Sequence, residues 1–167
     1  MNQQPFPKRK QTRMPHFDYS MSSRYFLTLC TKDRRHILSK IVIGDLINPA
    51  IVLLTQIGET VNRYILSSEK MEGITVEKYV IMPNHIHLIV QYISDDGSSR
   101  APTPTNAIIP RFVSSLKRLV NKSVGSQIWQ RGYHDHVIRN EEDYRSIWEY
   151  IDNNPARWTE DEYYTES

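Results

Sequence analysis

Residues 1–22 carry no hydrophobic rhythm, are rich in Pro, Lys and Arg, and read as a basic flexible arm. Regular patterning begins at Arg24–Thr31 (Arg-Tyr-Phe-Leu-Thr-Leu-Cys-Thr), whose aromatic and β-branched residues predict a strand. Asn48-Pro49 reads as a helix N-cap and first position, and the spacing Ile51, Leu54, Ile57, Val61, Ile65 predicts a helix over 49–67. After a turn at Gly73, two apolar runs at 74–82 and 85–93 meet around Pro83-Asn84 and predict a hairpin. Ser94–Asn106 is polar and Pro-rich, a flexible internal loop. Residues 110–123 place Phe112, Leu116, Leu119 and Val120 on one helical face, with Arg111, Lys117, Arg118 and Lys122 around it. A fourth strand lies within Ile128–Ile138. Asn140, followed by Glu141, Glu142 and Asp143, predicts the N-terminus of a third helix that runs to about Asn153 and stops near Pro155.

The order strand, helix, strand, strand, helix, strand, helix has two βαβ-like halves. It predicts an α+β, ferredoxin-like sandwich: an antiparallel sheet with helices on one face, plus a C-terminal helix. Residues 23–160 then form a single domain, and 161–167 an acidic tail.

Composition sharpens this in two ways. The net charge of +2 conceals an asymmetry. Residues 1–40 hold nine Lys/Arg against two acids, and residues 141–167 hold nine acids against two Arg. The basic end suits phosphates, while the acidic end argues against nucleic acid wrapping the whole surface. The single cysteine, Cys30, excludes an internal disulfide framework and a Cys-based zinc site. With neither a signal-like apolar stretch nor a bilayer-length run, the expectation is a cytoplasmic protein without membrane partners.

The chemistry concentrates at His85-Ile86-His87. Strand side chains alternate, so the two imidazoles share a face and could grip one metal ion; two hydrogen-bonded sheet histidines would leave the same spacing. Ile86, Leu88 and Val90 look like core, which puts His85, His87 and Ile89 on the opposite side. A third donor must complete any metal shell. On the third helix the buried stripe is Tyr144, Ile147, Trp148, Ile151, with Tyr150 at its border. Asn154, four residues on, offers a hard oxygen suited to Mg²⁺ or Mn²⁺.

Val80-Ile81-Met82-Pro83-Asn84-His85-Ile86-His87-Leu88 resembles the histidine–hydrophobic–histidine (HUH) motif of the single-tyrosine HUH transposases. The segment Trp129–Asn140, with Gly132, Tyr133, His134 and His136, is similar to the one that follows it in the REP-associated tyrosine transposases. Asp143-Tyr144-Arg145, Tyr150-Ile151 and Asn153-Asn154-Pro155 resemble that branch's tyrosine helix. The likeness covers roughly residues 20–160.

The resemblance implies that Tyr150 is the nucleophile, that His85 and His87 bind Mg²⁺ or Mn²⁺, and that Asn154 stands in the place of the third ligand. It implies metal-assisted cleavage and rejoining of single-stranded, REP-like hairpin DNA through a 5′-phosphotyrosine, with the protein nucleoid-associated when bound to DNA. Phosphate contacts are expected from Arg13, Arg34, Arg35, Lys117 and Arg118, and base stacking from Phe17, Tyr19 or Trp129. His134 and His136 are assigned a structural or supporting role.

Two other readings stay open: a metal-dependent hydrolase using four histidines with Asp135, and a non-catalytic nucleic-acid-binding module. Monomer and homodimer, with the tyrosine helix acting in cis or in trans, are both compatible with the chain.

Overall fold

The computed structural model describes residues 23–42, 50–68, 71, 73–93 and 108–166. The basic arm with Arg13, Phe17 and Tyr19, the Asn48-Pro49 helix start and the 94–106 loop lie outside them. The elements in chain order are β1 (Ser23–Cys30), β2 (Ser39–Val42), β3 (Ile51–Leu54), α1 (Gln56–Ser67), β4 (Ile74–Ile81), β5 (His85–Tyr92), α2 (Ile108–Val124), β6 (His134–Ile138) and α3 (Glu141–Asn153). Single 3₁₀ turns sit at Lys32–Arg34 and Trp158–Glu160.

Four strands form an antiparallel sheet in the order β4-β5-β1-β6. With β1 and β5 at its centre and helical crossovers from β1 to β4 and from β5 to β6, this is the ferredoxin-like arrangement expected. Alternation divides the sheet cleanly. Tyr25, Leu27 and Leu29 of β1 and Ile86, Leu88 and Val90 of β5 point into one core, all fully buried. There they meet Val61 and Ile65 of α1 and Ile109, Phe112, Val113, Leu116 and Val120 of α2. The opposite face carries Phe26, Thr28, His85, His87 and Ile89. A bulge between Val76 and Lys78 turns Lys78 to that second face, opposite Ile89.

α3 covers the second face. The Lys78 ammonium lies 4.1 Å from the Trp148 ring centre, and Phe26 meets Tyr150 edge-on with centroids 6.0 Å apart. Asn140 caps α3 as its sequence predicts, accepting from the Asp143 amide at 2.8 Å. No helix among the described residues is long and apolar enough to cross a membrane.

One expectation fails. The helix expected over 49–67 begins only at Gln56, and Ile51–Leu54 is a strand that pairs with Ser39–Val42 in a separate two-stranded ribbon. The helical spacing of Ile51 and Leu54 arises because the whole run Ile-Val-Leu-Leu is apolar, a pattern that periodicity alone cannot assign. Cross-strand pairing decides for β, and Thr55 is the true N-cap, its hydroxyl accepting from the Gly58 amide at 3.1 Å.

Gly58 is where α1 approaches the connection before the ribbon most closely. A Cβ there would lie 1.9 Å from the Leu38 carbonyl oxygen, a backbone atom with little freedom to retreat. Gly58→Ala should therefore cost about 1–3 kcal/mol, despite alanine's better helix propensity, read as a lower urea midpoint.

Candidate active site

The β1–β5 register builds the site. Thr28 stands opposite His87 and Cys30 opposite His85. The Thr28 hydroxyl and His87 Nδ1 are 2.8 Å apart, and His85 Nδ1 is 2.8 Å from Asn84 Oδ1. With each Nδ1 engaged, both Nε2 atoms are left for the site. The rings lie 4.5 Å apart, at 0% and 1% exposure for His85 and His87. His85 Nε2 is buried without a hydrogen-bond partner among the described residues, and His87 Nε2 lies 3.2 Å from the Tyr150 hydroxyl. Tyr150 also donates to Asp161 Oδ2 at 3.1 Å.

Asn154 joins the group from one turn beyond Tyr150. It keeps helical backbone angles despite the following proline, so its side chain stays on Tyr150's face. Its Nδ2 donates to Asp161 Oδ2, and its Oδ1 is buried with no partner among the described residues.

After α3 the chain turns back across the sheet as a strap. Trp158 and Tyr163 are buried against the histidines, the Tyr163 ring 4.8 Å and the Trp158 ring 5.9 Å from that of His85. Asn84 Nδ2 bonds the Tyr163 carbonyl at 2.8 Å, and Asp161 Oδ1 accepts from the Tyr163 amide at 2.7 Å. The strap thereby holds Asp161 over the pair. Beside it opens a cavity of about 430 Å³, lined by Tyr150, Asn154, Arg157, Asp161 and two further acids, Glu149 and Glu160.

Electrostatics follow burial. Desolvation, then the nearby Arg34 charge, pushes His85 down to about 3. Desolvation and then His85 hold His87 well below the usual imidazole range, against an opposing pull from Asp161. Both are neutral ligand-type imidazoles at physiological pH. Burial, followed by the Asp161 charge and hydrogen bond, raises the Tyr150 phenol above its usual value, so it stays protonated.

The residues fit a divalent cation. One ligand atom each from His85, His87 and Asp161 lies within 4.8 Å of the others, and a buried Nε2 without a partner is a donor atom awaiting an acceptor.

The other expected residues are dispersed. Arg34 packs over the Tyr163 ring at 5.0 Å and donates to the Glu162 carbonyl at 3.1 Å. Arg35 is exposed beside it, and Arg118 is exposed on α2, in the layer beneath the sheet. Lys117 donates to the Gln130 and Gly132 carbonyls at 2.8 and 2.6 Å, and burial pushes its ammonium down to about 8. Trp129 is buried. His134 and His136 share the site's sheet face, but His136 Nε2 bonds Asp143 Oδ2 at 2.8 Å and His134 is exposed. Among the described residues, the histidine–carboxylate group close enough for one ion includes neither of them nor Asp135, so the four-histidine centre does not form.

Sequence reasoning missed Asp161, Tyr163 and Arg157, which follow α3 without periodicity, and Asn84 and Thr28, which only the strand pairing brings to the imidazoles.

Residues 19–154 match the family described as IS200-like transposases. A Haemophilus influenzae protein of uncharacterised function is 28% identical, the alignment covering 95% of this chain and 94% of that one. A second protein of that organism, provisionally named a REP-associated tyrosine transposase, is 27% identical over 84% of this chain and 74% of its own length. The solved structure of a REP-associated tyrosine transposase bound to a REP hairpin superposes with a TM-score of 0.62, covering 90% of this chain and 74% of that one at 20% identity, a likeness of fold.

The buried imidazoles dictate a pH response. Folded, they resist protonation, whereas the unfolded chain takes up protons near the ordinary histidine value of about 6.5. The unfolded state binds more protons below that pH, so stability falls as pH drops from about 6.5 toward 3. In chelator-treated protein the urea midpoint should decline across this window, with a shallower decline for His85→Gln; a midpoint flat from about pH 6.5 to 4 contradicts the assignment of neutral imidazoles.

Proposed function

The chain belongs to the IS200-like transposase family, and from that premise we propose that it is a single-tyrosine DNA endonuclease and strand transferase acting on single-stranded hairpin DNA of the REP type. The observation that carries the reading is the Tyr150 hydroxyl set 3.2 Å from His87 Nε2, beside the unpartnered Nε2 of His85. A nucleophile, a pair of neutral imidazoles and an open cavity meet at one point.

His85 and His87 hold a divalent cation, Mg²⁺ or Mn²⁺, and the unpartnered Asn154 Oδ1 is available to it as well. When bound, such an ion supplies charge neutralisation at a phosphate oxygen and orients the phosphorus for in-line attack. The chain's own residues do the rest. α3 presents the phenol at the cavity mouth, where Tyr150 is 38% exposed, while the strap keeps water from the imidazoles. Arg157, on the cavity wall, offers a cation to the incoming phosphodiester. With His87 Nε2 given to such an ion, the phenol would keep Asp161 Oδ2 as its hydrogen-bond acceptor at the cavity mouth. The Tyr150 Oη–P bond forms, the P–O3′ bond breaks, the phenolic proton leaves to water, and the 3′ oxygen departs protonated. Tyr150 is left esterified to the 5′-phosphate. The linkage preserves the energy of the bond it replaced, so attack by a 3′-hydroxyl rejoins DNA without ATP.

The hairpin substrate rests on the fold shared with the REP-hairpin complex and on the relative's name. Arg34 and Arg35 lie near the strap and suit the strand approaching the cavity; Arg118, beneath the sheet, suits the stem. Arg13 extends the same expectation into the basic arm. Lys117 serves the fold through its two carbonyls. His136 anchors the start of α3 through Asp143, and His134 stays at its margin. Cutting in cis accords with the contact between Tyr150 and its own chain's His87.

Incubation with a REP-like single-stranded hairpin and Mn²⁺ should give a protein–DNA adduct that survives denaturation. Tyr150→Phe should lower adduct yield by roughly 10³-fold or more while hairpin binding by gel shift is retained. A shifted band with no adduct from the wild type would leave only a binding module, and undiminished cutting by Tyr150→Phe would point to a hydrolase.

A further inference from the structure

We propose that Asp161, carried by the strap after α3, is a ligand of the metal held by His85 and His87, giving a two-histidine, one-carboxylate centre; this rests on the reading that the histidine pair binds a divalent cation. Asp161 lies beyond residues 19–154, the segment matched to the family.

Three independent observations converge on it. Ligand atoms of His85, His87 and Asp161 lie within 4.8 Å of one another, close enough for a single ion. Among the described residues, His85 Nε2, on a fully buried residue, has no partner, and Asn154 Oδ1, 3% exposed as a residue, has none either. The carboxylate is also held in place: Oδ1 accepts from the Tyr163 amide, and Oδ2 receives both Asn154 Nδ2 and the Tyr150 hydroxyl. A carboxylate positioned by backbone and amide donors over two neutral imidazoles is arranged as metal ligands are, each oriented by a hydrogen bond behind it.

Asn154 is then first a positioning residue for Asp161, through Nδ2, with Oδ1 left over for the ion. Two imidazoles and one carboxylate leave coordination positions open for phosphate oxygens, and imidazole donors favour Mn²⁺ over Mg²⁺. A further consequence is structural. The ion ties the strap to the sheet, so Trp158, packed on His85, reports its arrival.

The test is titration of the full chain with MnCl₂ by calorimetry, without DNA, alongside tryptophan fluorescence. Asp161→Asn keeps an oxygen for the Tyr163 amide and removes the charge; Asp161→Glu keeps the charge. The wild type should bind one Mn²⁺ with a change in tryptophan emission. Asp161→Asn should bind at least about tenfold more weakly, with Asp161→Glu recovering part of the loss. If Asp161→Asn binds within about twofold of wild type while His87→Ala loses the ion, Asp161 is no ligand and the histidine pair stands. If His87→Ala also binds as the wild type does, both this inference and the metal reading beneath it are overturned.

Discussion

The antiparallel register of β1 against β5 places Thr28 opposite His87 and Cys30 opposite His85. A slip of one residue would turn both imidazoles into the hydrocarbon core and bring Ile86 and Leu88 to the site, because sheet faces alternate with period two. The register is held from the core side by Tyr25, Leu27 and Leu29 against Ile86, Leu88 and Val90, none of which has measurable exposure. Packing on one face of the sheet thus sets the chemistry on the other. The cross-strand partner of His87 supplies the hydroxyl that engages its Nδ1, so one pairing fixes the position, the ring orientation and the free nitrogen.

Burying two imidazoles side by side has a cost that the local hydrogen bonds only partly offset. One nitrogen remains without a partner among the described residues, in surroundings where such a group destabilises by roughly 1–3 kcal/mol. The strap deepens the burial, since Trp158 and Tyr163 displace water that would otherwise satisfy His85. A cation acting as the missing partner, as proposed, would turn this unfavourable arrangement into a binding site. The His87 nitrogen that would face such an ion is the one set 3.2 Å from the Tyr150 hydroxyl, so ligation there and the contact with the phenol would compete.

The parts of this arrangement that depend on local pattern were legible in the sequence. The His85–His87 strand, its hairpin with β4 and the capped α3 that leads to Tyr150 and Asn154 all follow from period two, period 3.6 and a cap, and the resemblance supplied an expectation of their chemistry. The β2–β3 ribbon was not legible, because Ile51–Leu54 is apolar throughout and suits a helix as readily as a strand until its partner is known. Asp161 was hidden for a different reason. It sits in an acidic stretch that looks like solvated tail, and only Trp158 and Tyr163, anchored on the histidines and on Asn84, show that the chain returns to the sheet.

Charge explains why that return suits a site for phosphates. The cavity beside Tyr150 presents Glu149, Glu160 and Asp161 against Arg157 alone, a wall that repels a phosphodiester. Neutral imidazoles add nothing to offset it, since burial keeps both from protonating. A divalent ion held by His85, His87 and Asp161, as proposed, would change the sign there: with one carboxylate ligand the centre would carry a net single positive charge, enough to attract a phosphate.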